Sequence, residues 1–139
     1  MYKRQRWEFS AAEYRRRLDG LRRGMAAASL DCVLLASERN MRYVTGFHTQ
    51  VWVSPTRPRF VLVPASGEPV AVVPRSNVEG FANRSWIDDV RWWPAPRPAD
   101  EGVSLLVDTI RELVGQSGRV GAEIGPETRL GMPLSLIHI

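Results

Sequence analysis

The chain has little of what metal, redox and membrane proteins need. It has one cysteine, Cys32, and two histidines, His48 and His138. Cys32 lies in an apolar run that ends at Ala36, so we expect it to be buried as a small hydrophobic side chain. No apolar run approaches the roughly 18 residues of a membrane span, and the N-terminus lacks the apolar core of a signal peptide. We therefore expect a cytoplasmic protein with no membrane partner.

The common catalytic motifs are also missing. No G-x-S-x-G, P-loop or G-x-G-x-x-G motif occurs in the sequence. A histidine-containing metal centre would rest on His48, because His138 lies in the last six residues, which do not continue the pattern of the chain. Neither an H-E-x-x-H motif nor paired cysteines support such a centre. We expect no catalytic residue, no metal site and no cofactor in this chain.

What the chain does have is the composition of one ordinary domain. Its 139 residues are 44% hydrophobic, which is enough to bury a core without disulfides or metal. The net charge of +4 comes from one end, since Met1–Arg23 holds 8 basic and 3 acidic residues. Such a segment can bind nucleic acid or an acidic partner. We favour a solvated helix face, because apolar residues recur regularly among the arginines, and we expect no nucleic-acid partner.

The N-terminal third predicts a helix followed by a buried strand. Ser10 and Glu13 fit a capping box, in which the Ser10 hydroxyl accepts from a first-turn N–H and Glu13 reaches back to the cap. Apolar residues then recur on one helical stripe, at Tyr14, Leu18, Leu21 and Met25. The short apolar run over 31–36 is typical of a buried strand.

The rest of the chain alternates strands with helices. Ser37 is a second candidate N-cap, and Gly46 is placed to end a short helix. The remaining predicted elements are a hairpin of strands over 59–63 and 69–73, a short helix over 75–83, a strand over 89–93, a helix from Asp100 to Gly115 and a strand over 119–124. This order predicts an α/β fold, a three-layer domain with a mixed β-sheet and helices on both faces.

The last six residues stand apart from this pattern. Residues 134–139 read like translated sequencing-adapter DNA, so we expect residues 1–133 to form the domain and 134–139 to be a non-native tail. A genuine C-terminal strand is the alternative. Resequencing the gene distinguishes the two.

The loop between the short helix and the hairpin holds the candidate binding residues. His48, Trp52, Arg57 and Arg59 occur within 12 residues, and this combination can bind a carboxylate through a guanidinium and an apolar ring through the indole. The alternative is an ordinary polar loop with Trp52 turned inward. The sequence leaves both interpretations open.

Several of these elements together resemble one enzyme superfamily. They are the first helix and strand, the segment Asn40-x-x-Tyr43-x-Thr45-Gly46-Phe47, the hairpin and the late Gly121-x-Glu123. Over roughly residues 9–133 the chain resembles the N-terminal domain of the pita-bread metallopeptidases: creatinase, prolidase and aminopeptidase P. Within the Asn40–Phe47 segment we expect Asn40 and Gly46 to shape the short helix, and Tyr43 and Phe47 to pack.

The resemblance implies a non-catalytic part of a larger hydrolase. In this family the metal ligands lie in a second domain, so the resemblance implies a divalent metal pair (Mn, Zn or Co) outside this chain. It also implies a homodimer, a short peptide or small-molecule substrate, and an N-terminal domain that restricts substrate access. Here His48, Trp52, Arg57 and Arg59 would make those contacts. The alternatives are a creatinase-like hydrolase or lyase of small metabolites, and a non-catalytic binding module such as the one in large histone chaperones.

Overall fold

The computed structural model describes residues 7–50, 52 and 57–125. Residues 134–139 and the predicted domain boundary at residue 133 lie outside this part of the chain. The helices are α1 (Ala11–Ala27), α2 (Glu38–Thr45), α3 (Val78–Arg84) and α4 (Val103–Val114), and a 3₁₀ turn (Arg75–Asn77) precedes α3. The strands are β1 (Cys32–Leu35), β2 (Phe60–Pro64), β3 (Val70–Pro74), β4 (Asp89–Trp93) and β5 (Val120–Ala122).

The five strands form one mixed sheet in the order β4-β3-β2-β1-β5. The predicted hairpin is confirmed, because β2 and β3 pair antiparallel, and β1 pairs antiparallel with β2. The outer pairs, β3 with β4 and β1 with β5, are parallel. Helices α1, α2 and α3 cover one face and α4 covers the other. The predicted three-layer α/β fold is therefore confirmed.

The central strands are apolar on both sides because both faces of the sheet are covered. Alternate side chains of a strand point to opposite faces. Val61 and Val63 accordingly pack under α1–α3, whereas Phe60 and Leu62 pack under α4, and all four are fully buried. A strand buried on both faces has a continuous apolar sequence.

Helix α1 lies across the sheet with the predicted apolar stripe facing inward. Tyr14, Leu18 and Met25 are buried and Leu21 is half-buried. The Ser10 hydroxyl accepts from the backbone N–H of Glu13 at 3.2 Å, as predicted. The Glu13 carboxylate is bonded instead to Arg16 and Arg17, both at 2.8 Å, because these longer cations lie within one turn of it.

The glycine that ends α2 cannot be replaced without a clash. Gly46 has φ 79°, a left-handed conformation that closes the helix as predicted. A Cβ at this position would lie 2.5 Å from the Tyr14 hydroxyl and 3.2 Å from the Arg84 carbonyl oxygen. Gly46 therefore allows α1, α2 and the end of α3 to meet.

Within the same segment, one predicted core residue lies on the surface. Phe47 is buried and Thr45 bridges the turn, donating to the Met41 carbonyl at 2.8 Å and accepting from the Phe47 N–H at 3.0 Å. Tyr43 is 50% exposed, so the prediction that it packs in the core is wrong. Its ring lies against the Arg17 guanidinium, 4.6 Å away, because position 43 faces outward between α1 and α2.

The start of α2 is held by a carboxylate that lies far away in sequence. The Glu123 carboxylate accepts from the backbone N–H groups of Ala36 and Ser37 at 2.6 and 2.8 Å, from the Ser37 hydroxyl at 2.5 Å, and from the Asn40 amide. Burial acts to raise the pKa of Glu123, but the hydrogen bonds from Ser37, Ala36 and Asn40 outweigh it, so the pKa lies below its ordinary value. Glu123 thus joins the end of the sheet to the N-terminus of α2.

One further sequence prediction, the burial of Cys32, is confirmed, and the two tryptophans at the end of β4 differ in burial. Trp93 is buried beneath α4 while the adjacent Trp92 is 46% exposed, since neighbours in a strand face opposite ways. Cys32 is fully buried, and this burial raises the pKa of its thiol to about 11, which keeps it protonated and unreactive. In the part of the chain that the structure describes, no helix has the length and apolar character needed to cross a bilayer.

We predict that Gly46→Ala lowers the free energy of unfolding by about 2 kcal/mol or more, because it combines left-handed strain with a steric clash. Denaturant unfolding followed by circular dichroism measures the loss. Gly67→Ala is the matched control, since Gly67 has φ 90° and no atom lies within 4 Å of the position that an alanine methyl would take there. Equal losses in the two variants would show that the contact with Tyr14 has no effect on stability.

We predict that Glu123→Gln destabilises the domain by about 2 kcal/mol at neutral pH through loss of charge-assisted hydrogen bonds. The folded pKa of Glu123 lies below its unfolded value of about 4.3, so its stabilisation is present above that pH and is lost as the pH falls through the folded pKa. Urea unfolding at several pH values should therefore show the two proteins converging below about pH 4. A difference that stays constant across this range would contradict the assignment.

Candidate functional site

A cavity of about 630 Å³ opens where the chain leaves α2 and passes the start of α3. Its walls come from the exit of α2, the 3₁₀ turn and the outer side of α3. The lining residues are Phe47, His48, Thr49, Ser76, Asn77, Glu79, Gly80, Asn83 and Arg84. The site therefore combines one aromatic ring with a polar rim.

The aromatic floor of the cavity is fixed by ring packing. Phe47 stacks on Phe81 with ring centroids 4.0 Å apart, and Trp52 lies 6.4 Å from the Phe47 centroid on another side. Gly80 leaves this floor open, because a Cβ there would lie 3.1 Å from the Phe47 ring. The floor is therefore closely packed: Phe47 lines the cavity, although only 1% of its surface is exposed.

Behind the wall, an arginine is buried against a tryptophan. Arg59 is 5% exposed, its guanidinium carbon lies 5.4 Å from the Trp52 ring centroid, and its Nε donates to Asn77 Oδ1 at 2.6 Å. Burial and, to a smaller extent, the charge of the nearby Arg57 lower the pKa of Arg59. Arg59 thus positions Asn77, which itself lines the cavity.

The rim carries polar side chains and one guanidinium group that face solvent. His48 is exposed, and its Nδ1 lies 3.4 Å from the Gly46 carbonyl oxygen. The His48 carbonyl accepts from Arg84 Nη1 at 3.1 Å, which ties the end of α3 to the loop. Arg84 is exposed and lines the cavity. A rim of this kind can bind an anionic or polar group while the aromatic floor takes an apolar part.

The structure places the four predicted residues in different positions relative to the cavity. His48 lines the cavity. Trp52 and Arg59 do not line it but contact residues that do, since Trp52 packs near Phe47 and Arg59 donates to Asn77. Arg57 is exposed, and its charge lowers the pKa of Arg59. Sequence reasoning missed the residues that the 3₁₀ turn and α3 contribute, chiefly Asn77 and Arg84. The short helix itself was predicted, but which of its side chains face the loop is set by how it packs on the sheet.

The described residues do not fit a metal pair. In the ranges 7–50, 52 and 57–125, no three histidine, cysteine, aspartate or glutamate side chains come together in a way that can hold a metal ion. Glu79 is the one carboxylate among the residues that line the cavity.

We predict that Asn77→Ala costs about 1 to 3 kcal/mol of stability, because it removes the acceptor of a buried guanidinium N–H. Thermal and urea unfolding measure this. Asn83→Ala serves as the control, since Asn83 lines the same cavity but is exposed, and it should change stability by less than about 0.5 kcal/mol. Equal effects of the two changes would argue against a structural role for the Arg59–Asn77 bond.

Several solved structures similar to this chain are described as dipeptidases or prolidases. The chain is similar to the dipeptidase PepE from Mycobacterium ulcerans, with 21% identity, a TM-score of 0.70, and coverage of 94% of this chain and 33% of that one. It is also similar to a prolidase from Thermococcus sibiricus, with 18% identity, a TM-score of 0.71, and coverage of 93% of this chain and 32% of that one. The chain thus spans about a third of the length of these two proteins.

Separate N-terminal domains match over most of their length. The creatinase/prolidase N-terminal domain of an X-Pro dipeptidase from Streptococcus pyogenes is 17% identical, with a TM-score of 0.62 and coverage of 88% of this chain and 83% of that one. No curated protein gives a significant match. The sequence model of the creatinase/prolidase N-terminal domain matches residues 17–134. Since this match spans most of its length, the chain belongs to the creatinase/prolidase N-terminal domain family.

Proposed function

We propose that the chain is the non-catalytic N-terminal domain of a metal-dependent Xaa-Pro dipeptidase or aminopeptidase-like hydrolase. The observation that carries this proposal is the family match over 17–134. The similar full-length structures are named as a dipeptidase and a prolidase, and the chain spans about a third of each. On this proposal residues 1–133 form the domain, 134–139 are a non-native tail, and the catalytic half follows in the complete protein.

The role of the domain in this proposal is to restrict access to the active site and to contribute to a cytoplasmic homodimer. The cavity beside α2 supports the first part, because its mixed polar rim includes the guanidinium of Arg84, which suits a short peptide with a free carboxylate. Arg84 and His48 are placed to meet the carboxylate, and Arg57 extends the positive charge. Trp52 keeps the Phe47 floor in position.

The chemistry belongs to the other half of the protein in this proposal. A pair of divalent ions, Mn, Zn or Co, would activate water there and polarise the scissile carbonyl. The described residues provide no set of side chains that could hold such a pair. We therefore expect the isolated chain to be inactive.

We predict that Trp52→Ala and Arg57→Ala, made singly in the full-length enzyme, lower kcat/KM for short Xaa-Pro peptides by about tenfold, or roughly 1.4 kcal/mol. Arg59→Ala should lower it too, but with loss of stability, because Arg59 is buried. Steady-state kinetics with unfolding controls separate the two effects. Arg111→Ala, an exposed position on α4 at the opposite face of the sheet, is the control and should leave kcat/KM unchanged.

Unchanged kcat/KM in the Trp52 and Arg57 variants would remove substrate access from the proposal while leaving the family assignment intact. A full-length protein that is active on creatine and inactive on peptides would favour the creatinase-like alternative. A full-length sequence without the metal-binding half would favour a binding module. Light scattering on the full-length protein tests the homodimer.

A further inference from the structure

A second concave surface lies between α1 and α2, away from the cavity beside α3. This groove has a volume of about 290 Å³. Its floor is formed by Leu21 and by the buried side chains of Leu35 and Val44, and the half-exposed Tyr43 ring lies beside it. Its rim carries Arg16, Arg17 and Arg23. No carboxylate is among the described residues that line it. This volume lies at the lower end of the roughly 300–1,000 Å³ of small-molecule sites, so the groove can take only a small group such as a side chain.

The arginines of the rim are held in two different ways. Arg17 is held in place by two aromatic rings, because its guanidinium carbon lies 4.3 Å from the Phe9 ring centroid and 4.6 Å from the Tyr43 ring centroid. Its Nη1 also donates to the Tyr43 carbonyl oxygen at 3.0 Å. The Arg16 side chain is 69% exposed, although it is paired with Glu13. Arg23 is exposed and forms no ion pair within the described part of the chain. One wall is therefore pre-ordered, and two arginines face solvent.

Gly20 creates the opening of the groove. It lies one turn from both Arg16 and Arg23, on the same stripe of α1, so the two arginines flank a position without a side chain. A glycine inside a helix costs about 0.5–1 kcal/mol relative to alanine. Packing does not require it here, since a Cβ at Gly20 would meet only Arg23 Nη2, at an ordinary 3.5 Å.

We propose that the groove between α1 and α2 binds an acidic peptide segment that inserts one leucine-sized side chain against Leu21, Leu35 and Val44. The flanking carboxylates of the segment then pair with Arg16 and Arg23. This assigns a partner to the basic N-terminal segment, which the proposed hydrolase role does not use. The inference does not depend on that role.

The positive charge of the rim favours an acidic peptide over three other candidate occupants: residues 1–6 of the chain, a second copy of the chain, and nucleic acid. Residues 1–6 of the chain hold Lys3, Arg4 and Arg6 and no acid, so they are repelled by the rim. A second copy placed across a two-fold axis would bring like-charged rims together. Nucleic acid needs a row of cations and exposed stacking rings. Here Arg17 is enclosed, Arg22 donates to the backbone carbonyls of Pro64 and Gly67, and Tyr43 is the one exposed ring among the described residues that line the groove.

The test is a titration of the ¹⁵N-labelled chain with the blocked peptide acetyl-Glu-Asp-Leu-Asp-Glu-amide at low salt. We expect amide shifts confined to the groove, centred on Gly20 and Leu21. Gly20→Leu fills the opening and should weaken binding by about tenfold or more, the effect of losing one buried leucine-sized side chain. Gly24→Leu is the control on the same helix, since no atom lies within 4 Å of its Cβ position and it does not line the groove.

A charge variant covers the case in which Gly20→Leu does not fold. Arg23→Glu should weaken binding by about tenfold, whereas Arg111→Glu on α4 should leave it unchanged. The same peptide with serine in place of leucine should also bind about tenfold more weakly. Equal binding by Gly20→Leu, shifts spread over every arginine-bearing surface, or displacement of the peptide by an oligothymidylate of similar length would each overturn the proposal.

Discussion

At Gly46 the end of α2 lies against both α1 and the end of α3, and the arrangement of this whole face depends on that contact. The space between the Gly46 Cα and the Tyr14 hydroxyl does not admit a methyl group. The left-handed turn sends Phe47 into the core and His48 to the surface in two consecutive positions. The positions of Phe47 and His48 in the wall of the cavity follow from this one turn.

The other end of α2 is fixed by a different kind of interaction. Glu123 accepts hydrogen bonds at the helix N-terminus, where free backbone N–H groups and the helix dipole favour a negative charge. Its partners include Asn40, so the first residue of the family segment Asn40–Phe47 is joined to the end of β5. The family segment is therefore structural: Asn40 at one end joins α2 to the sheet, and Gly46 at the other end sets the direction in which the chain leaves α2.

Two concave surfaces flank the segment that contains α2 and its exit. The cavity beside α3 has an aromatic floor and a mixed polar rim, whereas the groove beside α1 has an aliphatic floor and an arginine rim. Each is opened by a glycine in the neighbouring helix, Gly80 in α3 and Gly20 in α1. The two surfaces thus differ in chemistry, and only one belongs to the proposed access role.

The sequence by itself determined the order of the elements, the serine caps at Ser10 and Ser37, the hairpin and the family. These depend on periodicity and on residues a few positions apart. Only the tertiary structure decided that Tyr43 lies on the surface, that Arg59 is buried on Asn77, and that Arg84 reaches the cavity. Contacts such as Asn40–Glu123 join residues 83 positions apart. Their geometry is set by strand pairing and helix packing, and local pattern carries no information about either.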